Sequence, residues 1–226
     1  MKLYIHKVAV FSRPITLFAA ENKIDDAEII DVDVFAGECQ KEAFAQLNRS
    51  KQIPVLEDDG FCLTECSAIL KYLADKIDSP AYPKDLKKRA RVNEAMDWVN
   101  TGFYREYGYH LIYPQILPNH KRQTEEVNRA TVEWGREKAP FWLDVLNGHW
   151  LGAGNRYLCG DEITIADYFG AGPLTVGELI GIKFDKYPNL ARWVETMKSL
   201  PSWNTVHAPF NEFKKALSGR SFVTLD

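Results

Sequence analysis

No run of about 18 apolar residues occurs in the chain, which excludes a membrane-spanning helix. The opening MKLYIHKVAV sets His6 and Lys7 inside what would have to be an apolar stretch, so the start does not read as a secretory signal and a cytosolic location is expected. A basic excess is missing too: the net charge is −3 and the isoelectric point near 6.0, giving no reason to expect nucleic acid or an anionic membrane as partner. Four cysteines, at 39, 62, 66 and 159, form neither C-x-x-C nor zinc spacing, so reduced thiols and no metal site are expected. G-x-S-x-G, internal repeats and low-complexity segments are all absent.

What the chain does have is a 46% hydrophobic share in 226 residues, enough for a sizeable core in one or two domains. The stretch LNRSKQIPVLEDDGFCLTECSAILKYLADK, residues 47–76, organises the rest. Ile53-Pro54 opens an apolar run, Asp59-Gly60 offers a tight turn, and Thr64 to Ser67 leads into helical spacing at Ile69, Leu70 and Leu73: strand, hairpin, strand, helix. Proline at a strand start cannot donate to a ladder, and an X-Pro bond loses only ~0.5–1 kcal/mol on going cis. A cis bond at Pro54 would leave Ile53 offering one donor and one acceptor to an extended peptide, with Glu65 and the amides after it facing that peptide's amino-acid end.

The pattern IPVL, DDG, TE-x-x-AI-x-x-YL resembles the glutathione-binding domain of soluble glutathione transferases. Ser12-Arg13-Pro14 resembles the Ser-x-Pro of the theta class and its bacterial, dehalogenase-containing relatives. AFAQLN, YPKDLKKRARV and CGDEITIADY also have theta-like counterparts, so the likeness extends over nearly the whole chain. It implies an α+β thioredoxin-like N-terminal domain (βαβαββα, residues 1–78) followed by an all-α helical domain (84–226), a homodimer, and glutathione as co-substrate.

Leu3 to Val10 reads as a buried strand, Ser12 as the N-cap of a helix containing Pro14, Glu28 to Val34 as a second strand and Gln40 to Leu47 as a short helix. By resemblance Ser12 is the catalytic residue, its hydroxyl pointing at the glutathione sulfur; a helix N-terminus and free amides there also favour a thiolate. Glutathione would lie along Ile53-Pro54, with Glu65 and the Cys66 amide holding its γ-glutamyl end. At the glycine carboxylate a theta-class histidine is replaced by Cys39 and a common lysine by Gln52. Modest affinity is therefore expected, with Gln52 and Gln40 as neutral contacts.

Asp78 to Pro83, with two prolines, reads as a linker. Beyond it come a long helix from Lys84 through Tyr107, whose basic cluster Lys84, Lys87, Lys88 and Arg91 is a solvated face, and a helical region from Thr124 to Asn147 that Pro140 must kink or divide. Thr164-Ile165-Ala166-Asp167 fits a capping box with a structural role. Gly170, Gly172 and Pro173 interrupt the helix after it, and Leu190 to Leu200 restores an apolar stripe. The aromatic segment around Tyr104, Arg105 and Tyr109 is the expected wall for a small hydrophobic electrophile, against the alternative that such aromatics are ordinary core; Trp98 reads as packing.

The expected activity is glutathione transfer to that electrophile, with dehalogenation or peroxide reduction as variants. Two alternatives stand beside it. One is a non-catalytic binding or regulatory protein on the same fold. The other is an oxidoreductase working through a mixed disulfide, for which Cys66 near a helix start is the only partial fit.

Overall fold

The computed structural model describes residues 1–152 and 154–225. Four short strands form one mixed sheet in the order β2-β1-β3-β4: β1 (Lys2–Ile5) runs parallel to β2 (Glu28–Asp31) and antiparallel to β3 (Val55–Asp58), which pairs with β4 (Phe61–Thr64). Asp59 and Gly60 both take positive φ, 48° and 83°, the turn that matches the twist of a two-residue hairpin. Helices α1 (Ser12–Glu21), α2 (Glu42–Leu47) and α3 (Cys66–Lys76) complete the βαβαββα order.

The first strand stops earlier than the apolar pattern suggests. After Ile5 the chain turns, with the Ala9 amide bonding the His6 carbonyl at 2.9 Å, and residues 6–11 leave the sheet, all but Lys7 lining a cavity. The Ile53-Pro54 bond is cis, as expected.

Past the prolines, α4 (Leu86–Trp98) starts on Asp85, whose side chain accepts from the amides of Lys87 and Lys88. The helix then widens into π-type turns over Val99–Phe103 and Arg105–Ile112 before ending as α5 (Tyr113–Ile116). α6 (Glu125–Val145) runs through Pro140 without division. α7 (Ile165–Thr175), α8 (Pro188–Lys198) and α9 (Trp203–Ala216) follow.

Every residue of α7 is buried, and the Gly-Pro interruption expected there is a contact instead. A Cβ on Gly172 would lie 2.4 Å from the Val10 carbonyl oxygen and 2.9 Å from Pro14 Cγ, so glycine lets α7 cross directly against the start of α1. The core is consequently continuous between sheet and helices: Leu3, Ile5 and Phe18 share a cluster with Tyr104, Phe169 and Leu174. Arg13, 1% exposed, pins the junction, donating to Thr175 Oγ1 at 3.0 Å and the Gly172 carbonyl at 3.3 Å with its guanidinium 3.9 Å from the Phe210 ring centroid. Burial draws its pKa down to about 10, still cationic at neutral pH.

Candidate functional site

A cavity of about 740 Å³ opens between the sheet edge and the helical domain. Its floor is main chain. Ile53 makes no backbone hydrogen bond among the described residues, although its neighbour Gln52 is held by Asn48 Nδ2 at 2.7 Å. At one end α3 begins on Glu65, a non-glycine residue at φ 68° whose side chain does not cap the helix, and the amides of Cys66 and Ser67 are without acceptors among the described residues. Backbone held in that sparsely populated region is a feature that clusters at functional sites. At the other end the amides of Val10 and Phe11, just before α1, also find no acceptor among the described residues. The start of α3 and the turn leading into α1 therefore both present free amides to one groove, each a donor set for a negative group.

The opposite wall is aromatic. Phe11 meets Tyr104 edge-on at 5.0 Å and stacks on Phe169 at 5.4 Å. Tyr104, Tyr109 and Tyr113 pack mutually at 5.1–5.8 Å, with His120 4.9 Å from Tyr113. In an α-helix positions five apart are ~140° round the axis, so Tyr104 and Tyr109 would diverge. The i→i+5 turns of this segment widen the helix and bring both to the cavity, a distortion common at functional sites. Gly108 makes the room: a Cβ there would be 2.4 Å from Tyr104 Cε2.

Burial raises all three phenols' pKa, helped at Tyr109 by the charge of Glu65, so they are protonated donors at neutral pH. Burial also lowers His120, with Arg122 adding to it, and leaves that ring neutral.

Of the residues singled out from sequence, Cys39, Gln40, Gln52, Ile53, Pro54, Glu65, Cys66, Tyr104 and Tyr109 line the cavity. Ser12 does not, and this is a correction. It is the first helical residue rather than the cap, is 1% exposed, and its hydroxyl turns back to accept from the His6 amide at 3.3 Å. The residues of this segment that face the groove, Val8 to Phe11, carry no hydroxyl. Arg105 is a second correction: it follows Tyr104 round the helix, its side chain is 60% exposed, and its Nε donates to Glu106 Oε1 at 2.8 Å. Phe103 and Tyr107 are core, and Trp98 packs on Phe103, Trp142 and Trp150.

Cys66 is 4% exposed and burial pushes its thiol well above the ordinary range, with Glu65 adding to the shift. A thiol so disfavoured as thiolate does not suit mixed-disulfide chemistry. Burial likewise raises Cys39.

Tyr113, within the aromatic segment expected as the wall, lines the cavity as well, while sequence reasoning missed Lys51, Ser67, His6 and His120. Lys51 sits one place before the position where a lysine was sought, at φ 53°, and makes no ion pair among the described residues. Only its adjacency to Gln52 signalled it.

Comparison with known proteins bears on this groove. The family model described as "Glutathione S-transferase, N-terminal domain" matches residues 1–75, and "Glutathione S-transferase, C-terminal domain" matches 112–201. The chain is 32% identical to human glutathione S-transferase theta-2 over 200 residues, 85% of this chain and 78% of that protein. It is 32% identical to bovine glutathione S-transferase theta-1 over 202 residues, 88% and 82% of the two chains. The solved structure of human glutathione-S-transferase T1-1 in its apo form superposes with a TM-score of 0.81 at 28% identity, covering 95% of this chain and 90% of that one.

Proposed function

The chain belongs to the glutathione S-transferase family, with theta-class relatives, and from that premise we infer how its groove handles a tripeptide thiol and an electrophile. The observation that carries the reading is the main chain of Ile53, unpartnered among the described residues, lying between the start of α3, whose first amides lack acceptors there, and the turn before α1, where the Val10 and Phe11 amides lack them too. Glutathione would pair with Ile53 in an extended form. Its γ-glutamyl carboxylate would take the Cys66 and Ser67 amides, its γ-glutamyl ammonium would take Glu65, and its glycine carboxylate would take Lys51 with Gln40 and Gln52 beside it. Lys51 would supply the cation that the sequence pattern lacks at position 52, so the affinity would exceed that of a site with neutral contacts alone.

The sulfur would then sit at the α1 start, where the Val10 and Phe11 amides and the positive helix end lower its pKa. The thiol proton leaves to solvent. The thiolate attacks a small hydrophobic electrophile held by the aromatic wall of Phe11, Tyr104, Tyr109 and Phe169, and the leaving group departs with its electron pair. The contribution of the protein is pKa lowering and placement of two reactants. A cytosolic homodimer is part of this reading and rests on the family.

Two measurements test it: calorimetric titration with glutathione, and thiol consumption with a panel of alkyl halides, conjugated carbonyls and peroxides. Lys51→Ala should weaken binding about tenfold, the scale of one charge-assisted contact. Glutathione binding without turnover on any electrophile would leave the non-catalytic alternative, and no binding at all would overturn the reading. Ser12→Ala should keep turnover within about threefold and cost ~1 kcal/mol of stability, the value of a typical hydrogen bond.

A further inference from the structure

The phenols of Tyr104 and Tyr113 are hydrogen-bonded to each other, and neither oxygen has another protein partner among the described residues. Two hydroxyl groups hold two protons, and one mutual bond uses one of them. Whichever phenol donates, the other keeps an O–H with no protein acceptor. Tyr104 is 2% exposed and Tyr113 8%, and a buried hydroxyl without a partner is costly. Both side chains line the cavity, which is where the spare proton has room to find an acceptor.

The pair's location narrows what that acceptor is. Tyr104 touches Phe11, the residue before α1, so the phenols stand at the end of the groove where the Val10 and Phe11 amides are free. No serine or threonine hydroxyl from the first domain lines that end: Ser12 is turned away, and Ser67 is at the α3 end. The positive charge of the buried Arg13 acts on both phenols and favours negative charge beside them. Glu65, a carboxylate that lines the groove, acts on Tyr109. A phenol that accepts one hydrogen bond is also a stronger donor of its own.

We propose that the Tyr104–Tyr113 pair is a catalytic element that donates its spare O–H hydrogen bond to the sulfur of bound glutathione, so that the thiolate is stabilised from the helical domain. The inference rests on the reading of the groove as a glutathione site. The chemistry balances without proton transfer to or from the phenols. The S–H proton goes to water, the sulfur keeps the electron pair, and the phenol proton remains on its oxygen while bridging to the sulfur. That pair of electrons then forms the S–C bond as the leaving group takes the electrons of the bond that breaks.

The experiment titrates bound glutathione by its ultraviolet thiolate absorbance in the full-length protein, for wild type, Tyr104→Phe, Tyr113→Phe and the double variant. Glutathione affinity is measured by calorimetry on the same samples. The double variant should bind glutathione within about threefold of wild type but show a thiol pKa raised by about one unit, with kcat near neutral pH about tenfold lower. Each single variant leaves one phenol with its proton and should shift the thiol by a smaller amount in the same direction, which keeps the test decisive if the double variant does not fold. An unmoved thiol pKa overturns the proposal, including the case where kcat falls with one electrophile only, which would assign the pair to the electrophile. Wild-type protein that fails to bind glutathione refutes the groove reading itself, a result separate from an unmoved pKa in a protein that binds.

Discussion

Asp167 offers the sharpest test of how the helical domain is held together. It is fully buried, and one oxygen, Oδ1, accepts from the Leu158 amide at 2.8 Å and Trp193 Nε1 at 2.9 Å. The other, Oδ2, accepts from the Thr164 amide at 2.9 Å and the Thr164 hydroxyl at 3.0 Å, closing the capping box at the start of α7. Replacement by alanine strands three N–H donors that cannot turn away, whereas the hydroxyl can. At ~1–3 kcal/mol for each buried unsatisfied group, reduced by local relaxation, Asp167→Ala should cost ~3–5 kcal/mol. That is a large part of the ~5–15 kcal/mol holding a typical fold. Asp167→Asn keeps the acceptor for Leu158 and Trp193 but sets an amide N–H₂ against the Thr164 N–H, so ~1–3 kcal/mol is expected. Thr164→Val should cost least, since it removes only the hydroxyl. Urea unfolding followed by tryptophan fluorescence, which includes the buried Trp193, ranks the three. Equal losses for the alanine and asparagine variants, or a loss below ~1 kcal/mol for alanine, would refute a cost set by stranded donors.

Two further outcomes follow from packing and charge. Burial, with Arg13 adding to it, pulls the pKa of His207 down to about 3 while its Nδ1 bonds the Trp203 carbonyl at 3.0 Å. The unfolded chain takes up that proton near pH 6.5 and the folded one does not until about 3, so this group makes stability fall as pH drops through that window. The stability gap between wild type and His207→Gln should therefore narrow by up to ~1.4 kcal/mol per pH unit between about pH 6 and 4, and a pH-independent gap would refute the assignment. A Cβ on Gly135 would come within 2.5 Å of the Leu111 backbone nitrogen and 2.8 Å of the His110 carbonyl carbon, so Gly135→Ala must push α6 off the π-helical segment. The overpacking, ~1–3 kcal/mol, exceeds the ~1 kcal/mol gained in helix propensity, and a raised urea midpoint would show that the crossing has slack.

Local chemistry fixed what the amino-acid order alone could fix. The Asp59-Gly60 hairpin, the cis Ile53-Pro54 bond, the Thr164–Asp167 box and the proline-marked change from sheet to helices are set by residues within a few positions of one another, and each stands where the sequence indicates. The same locality explains Glu65 and the free amides after it, because a helix start exposes its donors whatever packs around it.

Direction in space was a different matter. Ser12 looked like a cap beside a proline, yet it became the first turn of α1, and its hydroxyl found the His6 amide; one residue of shift in a helix boundary turns a side chain ~100° and took it out of the groove. Tyr109 and Tyr113 share a face with Tyr104 only because the helix widens, and Arg105 lost its place by standing next to the residue that faces in. Gly172 was legible as an interruption and intelligible only once the Val10 carbonyl, just before α1, lay 2.4 Å from its missing Cβ. Composition and spacing thus decided which elements form. Which side chains meet across the groove was decided by helix rotation and by the closeness of two packed backbones, quantities that depend on residues as far apart as Val10 and Gly172.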